Sequence, residues 1–194
     1  MQRKNNVMEG VTQLLTALGV DVEKDENFIG TPRRVANYFL EHFVSEDTIQ
    51  RELRSFKAAT FPSSYKGIVI VSDVQVNGMC PHHLLNVSYR IDMAYLPRDR
   101  VVGLSKMARI AKLYGCQPIL QEDLTEAIAD ALEKTLETEN VAVVVRGKHS
   151  CMHIRGVEQP NSEACTNIMR GKFLLNDAGL KEEFTNAISL KRNN

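Results

Sequence analysis

Two short stretches of this chain hold most of its metal-seeking side chains: MCPHH at residues 79–83 and HSCMH at residues 149–153. Between them they carry His82, His83, His149, His153, Cys80 and Cys151, which is four of the five histidines and two of the four cysteines. A thiol and two imidazoles within a few residues, repeated at a distant second place, demand a fold that brings two remote segments to one point.

The surrounding periodicity says what delivers them. GIVIVSDVQV is rich in β-branched residues, and NVSYRIDMAYLP alternates Val87, Tyr89, Ile91, Met93 and Tyr95 with polar or small neighbours. Both read as strands, with MCPHH at the bend between them. NVAVVVRGKH reads as a buried strand that ends on HSCMH. GLSKMARIAKLYG and QEDLTEAIADALEKTLET read as amphipathic helices separated near Gly115 and Pro118, and KEEFTNAISL as a last short helix.

Upstream, Val7, Val11, Leu14, Leu15 and Leu18 recur at helical spacing before Gly19. In GTPRRVANYFLEHFV, Thr31 suits a cap and Pro32 the first helical position, with Val35, Tyr38, Phe39 and Phe43 as the expected buried stripe. Residues 1–45 are expected to form an N-terminal helical region, followed by a polar connection to about residue 66. Residues 46–194 are expected to form the main domain. Antiparallel strands with helices grouped between them predict an α+β fold.

Composition narrows the function. Lysine plus arginine equals aspartate plus glutamate at 24 each, so no global field favours nucleic acid or an anionic membrane. No run approaches the roughly 18 apolar residues of a membrane span, and MQRKNNVMEGVTQLL lacks the apolar core of a signal peptide. A cytoplasmic location is expected. There the four cysteines are free thiols or metal ligands rather than disulfide partners, a Cys80 to Cys151 disulfide being the alternative.

Cys80 and His83 have C-x-x-H spacing, which on a bend lets both converge on one ion, and Cys151 offers a third ligand from another strand end. Three protein ligands leave a tetrahedral zinc one open position, the mark of a catalytic site. A fourth ligand, His149 or His153, would close the site and make the metal structural. His82 and His149 beside such an ion are placed to move protons near neutral pH. Ser105 and Lys106 follow Gly103 at an expected helix start, where free amides favour phosphate, and Arg34, Arg109 and Arg155 stand near these stretches. Gln121 and Glu122 open a helix. The Glu122 carboxylate either complements the helix dipole or accepts paired hydrogen bonds from an amidine-like edge such as guanine's.

MCPHHLLNVSYRIDMAYLPRDRVVGLSKMARI, LQEDLT, VAVVVRGKHSCMHIRGV and TPRRVA, in this order and spacing, resemble the zinc-dependent GTP cyclohydrolase I family from about Thr31 to Phe173. The resemblance implies a T-fold: a four-stranded antiparallel sheet with two helices on one face, preceded by a helical region. It implies hydrolysis of GTP at C8 of the purine, loss of formate and rearrangement to 7,8-dihydroneopterin triphosphate. Zn2+ would be held by Cys80, His83 and Cys151. His149 would donate and accept the proton at the imidazole ring, and His82 and Ser105 would assist near the ribose. Glu122 with Gln121 would hold the guanine edge, and Lys106, Arg109, Arg155 and Arg34 would line the triphosphate, Arg34 from a neighbouring subunit. A homo-oligomer, a decamer of two pentamers with active sites at subunit borders, is implied as well.

Three positions depart from the family pattern. Pro81 stands where glutamate is common, Asn37 where some members carry a phosphate-binding lysine, and Cys165 in what is often a threonine-rich run. Two rival functions share the motifs: a related enzyme that stops at an earlier intermediate of ring opening, and a zinc-stabilised binding module without catalysis.

Overall fold

The computed structural model describes residues 2–57 and 59–190. It divides into two compact units, Met1–Val44 and Ser45–Asn194.

The first unit is a helix pair, α1 (Gln2–Ala17) and α2 (Thr31–His42). α1 ends as its glycine suggests: Gly19 adopts φ +85°, the left-handed region that glycine enters without strain, and Val20 N–H closes the turn on Leu15 O at 3.0 Å. Two expectations need correcting. Gly30, not Thr31, is the N-cap of α2, and no side chain caps it. The buried face of α2 is Pro32, Ala36 and His42, while Tyr38 and Phe43 are exposed. On a helix so short the aromatic residues mark a stripe, but which stripe is covered depends on the neighbour.

The second unit opens with α3 (Glu46–Lys57), in a segment expected to be a polar connection. Ile49 and Phe56 are buried, with Leu53 packed on the core between them. That spacing is helical, although the polar residues around it hide the pattern. A short ribbon of β1 (Thr60–Pro62) and β4 (Arg100–Val102) follows, paired antiparallel.

The main sheet has four strands in the order β2 (Val69–Met79), β3 (Asn86–Tyr95), β5 (Val141–His149), β6 (Ala164–Met169), each antiparallel to its neighbour. Strand alternation then assigns the faces. Val87, Tyr89, Ile91, Met93 and Tyr95 of β3, with Val141, Val143 and Val145 of β5, lie on the face covered by α4 (Leu104–Gly115) and α5 (Gln121–Leu136). Met107, Ile110, Leu124, Ile128 and Leu132 complete this core. On the opposite face Ala94, Ala142 and Val144 pack against Phe173 and against Leu180, Phe184 and Ile188 of α7 (Leu180–Leu190). The rest of that face is polar, and on it Asp92 pairs with Arg146 and also accepts the backbone N–H of Asp73 at 2.8 Å.

This is the α+β sheet with two helices on one face that the resemblance implied. Its register positions the site. Met79 pairs with Asn86 across the β2–β3 turn, and Val87 pairs with His149 at the end of β5. The MCPHH turn and the HSCMH segment therefore leave the sheet side by side.

Candidate active site

Cys80 occupies the first position after β2, buried, and the turn closes around it. Its N–H donates to Leu85 O at 2.8 Å, its carbonyl accepts from Leu84 N at 2.9 Å, and Leu84 takes φ +54° to complete the reversal. Pro81 fixes the backbone at the second position, so the proline leaves the bend intact. Cys151 sits on α6 (Ser150–His153), the single turn into which β5 runs.

The two sulfur atoms, 71 residues apart in sequence, stand 3.8 Å from each other. That excludes a disulfide, whose S–S length is about 2.05 Å. His83 Nδ1 lies 3.7 Å and His82 Nδ1 3.8 Å from Cys80 Sγ. A tetrahedral ion with bonds of ~2.3 Å to sulfur and ~2.0 Å to nitrogen sets two sulfurs about 3.8 Å apart and a sulfur and a nitrogen about 3.5 Å apart. The Cys80–Cys151 and Cys80–His83 spacings each fit one edge of such a tetrahedron. Among the described residues, the trio whose ligand atoms all lie within 4.8 Å of one another is Cys80, His149 and Cys151. His83 reaches the site through its contact with Cys80, and His149 is the imidazole that lies near both sulfurs. His153 is turned elsewhere, its Nε2 donating to Ser162 O at 2.9 Å.

A cavity of about 300 Å³ opens beside the cysteines, lined by Cys80, His82, Gln121, Glu122, His149 and Cys151 among others. Burial lowers the pKa of His149 below the ordinary imidazole value, against the opposing pull of Glu122, so the ring is neutral at pH 7. Burial first, and then the neighbouring Cys80, push the Cys151 thiol up. Glu122 is exposed in the first turn of α5, whose N-terminus faces the same cavity without a side-chain cap.

A family model described as GTP cyclohydrolase I matches residues 7–189. The chain belongs to the GTP cyclohydrolase I family. A protein called GTP cyclohydrolase 1 from Clostridium perfringens (strain 13 / Type A) is 38% identical over 187 residues, covering 96% of this chain and 98% of its own. One of the same name from Streptococcus suis (strain 05ZYH33) is 35% identical over 192 residues, covering 98% and 100%. That from Methylococcus capsulatus is 37% identical over 188 residues, covering 96% and 100%.

The other residues expected of a GTP cyclohydrolase I do not all meet in the cavity. Ser105, Lys106 and Arg109 lie on the first two turns of α4 and do not line it. Lys106 Nζ rests 5.5 Å over the ring of Phe56. Arg155, exposed just after α6, is close enough to favour the Cys151 thiolate. Arg34 belongs to the first unit, exposed on α2. Gln121 differs from the expectation in another way. It is buried, and both ends of its amide already hold protein partners.

One residue at the site escaped the sequence reading. Tyr89, taken as core from its strand alternation, is 1% exposed, and its hydroxyl is a buried side-chain polar atom without a hydrogen-bond partner. Its ring meets that of His149 edge-on at 6.1 Å between centroids. Burial raises its pKa, with Cys80, Glu122 and Cys151 adding to the effect. Nothing in the alternation separates a tyrosine that only fills space from one whose hydroxyl ends beside a site.

Proposed function

We propose that the chain hydrolyses GTP at C8 of the purine, releases that carbon as formate and rearranges the remainder to 7,8-dihydroneopterin triphosphate. The observation that carries this reading is the approach of Cys80 Sγ to both Cys151 Sγ at 3.8 Å and His83 Nδ1 at 3.7 Å, at the mouth of a cavity that also holds Glu122 and His149. Family membership supports it. Cys80, His83 and Cys151 would hold zinc, for which a two-thiolate, one-imidazole set is well suited. When bound, zinc supplies Lewis acidity and an activated water near neutral pH.

The chain's own groups do the rest. Glu122 accepts paired hydrogen bonds from the guanine edge and so fixes the purine. His149, neutral at rest, gives and takes the proton of the purine's imidazole ring as the C8 bonds change. His82 and Ser105 assist near the ribose. Lys106, Arg109, Arg155 and a neighbouring subunit's copy of Arg34 neutralise the triphosphate. Since Ser105, Lys106 and Arg109 lie outside the cavity of a single chain, assembly would complete the substrate site.

Assembly has physical support. β2 and β6 are the two edges of the sheet, and an uncovered edge is a template for pairing. Leu14 and Leu18 of α1 are 59% and 71% exposed. We place the active form in a homo-oligomer, a decamer of two pentamers, in the cytoplasm. Among the described residues no helix is long and apolar enough to cross a membrane.

The test is product analysis: GTP with the zinc-loaded protein should yield formate and, after oxidation, a fluorescent neopterin in equal amounts. Cys151→Ala should lose both metal and turnover, whereas His149→Ala should keep the metal and fall at least 100-fold in kcat. Formate without the pterin would favour an enzyme that stops after ring opening, and neither product would favour a binding module.

A further inference from the structure

The geometry points to Gln121 as the residue that fixes the tautomer and orientation of His149, rather than one that reads the purine with its side chain. Four hydrogen bonds define the arrangement. The two hydrogens of Gln121 Nε2 are shared among three acceptors, Val145 O and Ala164 O, both at 3.1 Å, and Thr166 Oγ1 at 3.3 Å, while Gln121 Oε1 faces His149 Nε2 at 2.9 Å.

The amide cannot turn over. Backbone carbonyls only accept, so a flipped amide would set its oxygen against Val145 O and Ala164 O. The hydroxyls agree: Thr125 donates to the Gln121 carbonyl at 2.8 Å, so Thr166 donates to Thr125 Oγ1 at 2.6 Å and keeps its own oxygen free to accept from Gln121. Each polar group in the chain of contacts then has a definite role. Gln121 Oε1 accepts, His149 Nε2 must carry the proton, and the lone pair of the neutral imidazole is on Nδ1. Whatever His149 does towards substrate or metal, it does through Nδ1.

Gly147 keeps the space for this contact. A Cβ there would stand 2.3 Å from Gln121 Oε1 and 3.1 Å from His149 Nε2. β5 thus places a residue without a side chain two positions before the imidazole, where the amide must pass.

The inference rests on the proposed proton-transfer role of His149, and its test separates the two. In zinc-loaded protein with nitrogen-15 histidine, solid-state NMR should show His149 protonated on Nε2 alone, the signal being assigned by its loss in His149→Ala. Gln121→Met and Gly147→Ala should let both tautomers appear and lower kcat about 10- to 100-fold, the usual effect of removing an orienting partner. KM for GTP should stay within about twofold, because no substrate contact is removed. A proton on Nδ1 in the parent protein, or a raised KM with unchanged kcat in Gln121→Met, overturns the inference. Should either variant fail to fold, the parent tautomer decides by itself. If the parent protein shows Nε2–H but does not turn over GTP, the positioning role stands and the proposed activity falls.

Discussion

At the scale of single residues, the site is built from groups whose surroundings set their state. Tyr89 is the clearest case. A buried hydroxyl with no partner destabilises a protein by about 1–3 kcal/mol relative to one that is satisfied. Tyr89→Phe removes that hydroxyl and keeps the ring, so the metal-free protein should gain roughly 1 kcal/mol, read as a higher urea midpoint at unchanged slope. A loss of stability would mean that the hydroxyl has a partner in solution. The candidate site residues were legible because cysteine and histidine are scarce and clustered, so Cys80, His83 and Cys151 as candidate ligands and His149 beside them stood out from spacing. Gln121 did not. Its bond to His149 spans 28 residues, and nothing near it in sequence distinguishes a glutamine that reads a ligand from one that orients a base.

At the scale of elements, legibility followed the strength of the period. β3 alternates without a break, and all five of its inward residues are at most 1% exposed. β5 reads as a run because both of its faces are covered over Ala142 to Val145. β6 went unassigned from pattern because Ala164, Cys165, Thr166 and Asn167 have no apolar alternation; pairing with β5 makes it a strand. α5 is tied to the strand's end by Arg170, which bonds Glu126, Asp130 and Glu133 on one helix face. α4 is held to β2 more closely still. A Cβ on Gly78 would fall 2.1 Å from the Gly115 carbonyl oxygen, so backbone meets backbone where the helix ends. Gly78→Ala should therefore destabilise the fold by about 3 kcal/mol, in the range of forced overpacking, measured by chemical denaturation. A change below 0.5 kcal/mol would show that the helix end can yield.

At the scale of the whole molecule, the proposed function depends on two convergences. One is between subunits: light scattering should show a single large species with the mass of ten chains, and a stable, active monomer would contradict the proposed assembly. The other is within the chain, where antiparallel pairing of β3 with β5 brings the turn after β2 beside the turn after β5. This pairing makes one candidate metal site out of residues 71 apart. Spacing showed which residues seek a metal, but only the register shows that they meet, and His149 lies close enough to both sulfurs to compete with His83 as the nitrogen ligand. Zinc-edge X-ray absorption on the assembled protein decides the matter most directly. Two sulfurs, one imidazole nitrogen and one exchangeable oxygen, unchanged in His149→Ala, are the expected coordination. Two sulfurs and two imidazoles, with no exchangeable oxygen, would contradict it and leave a metal that only staples two strand ends.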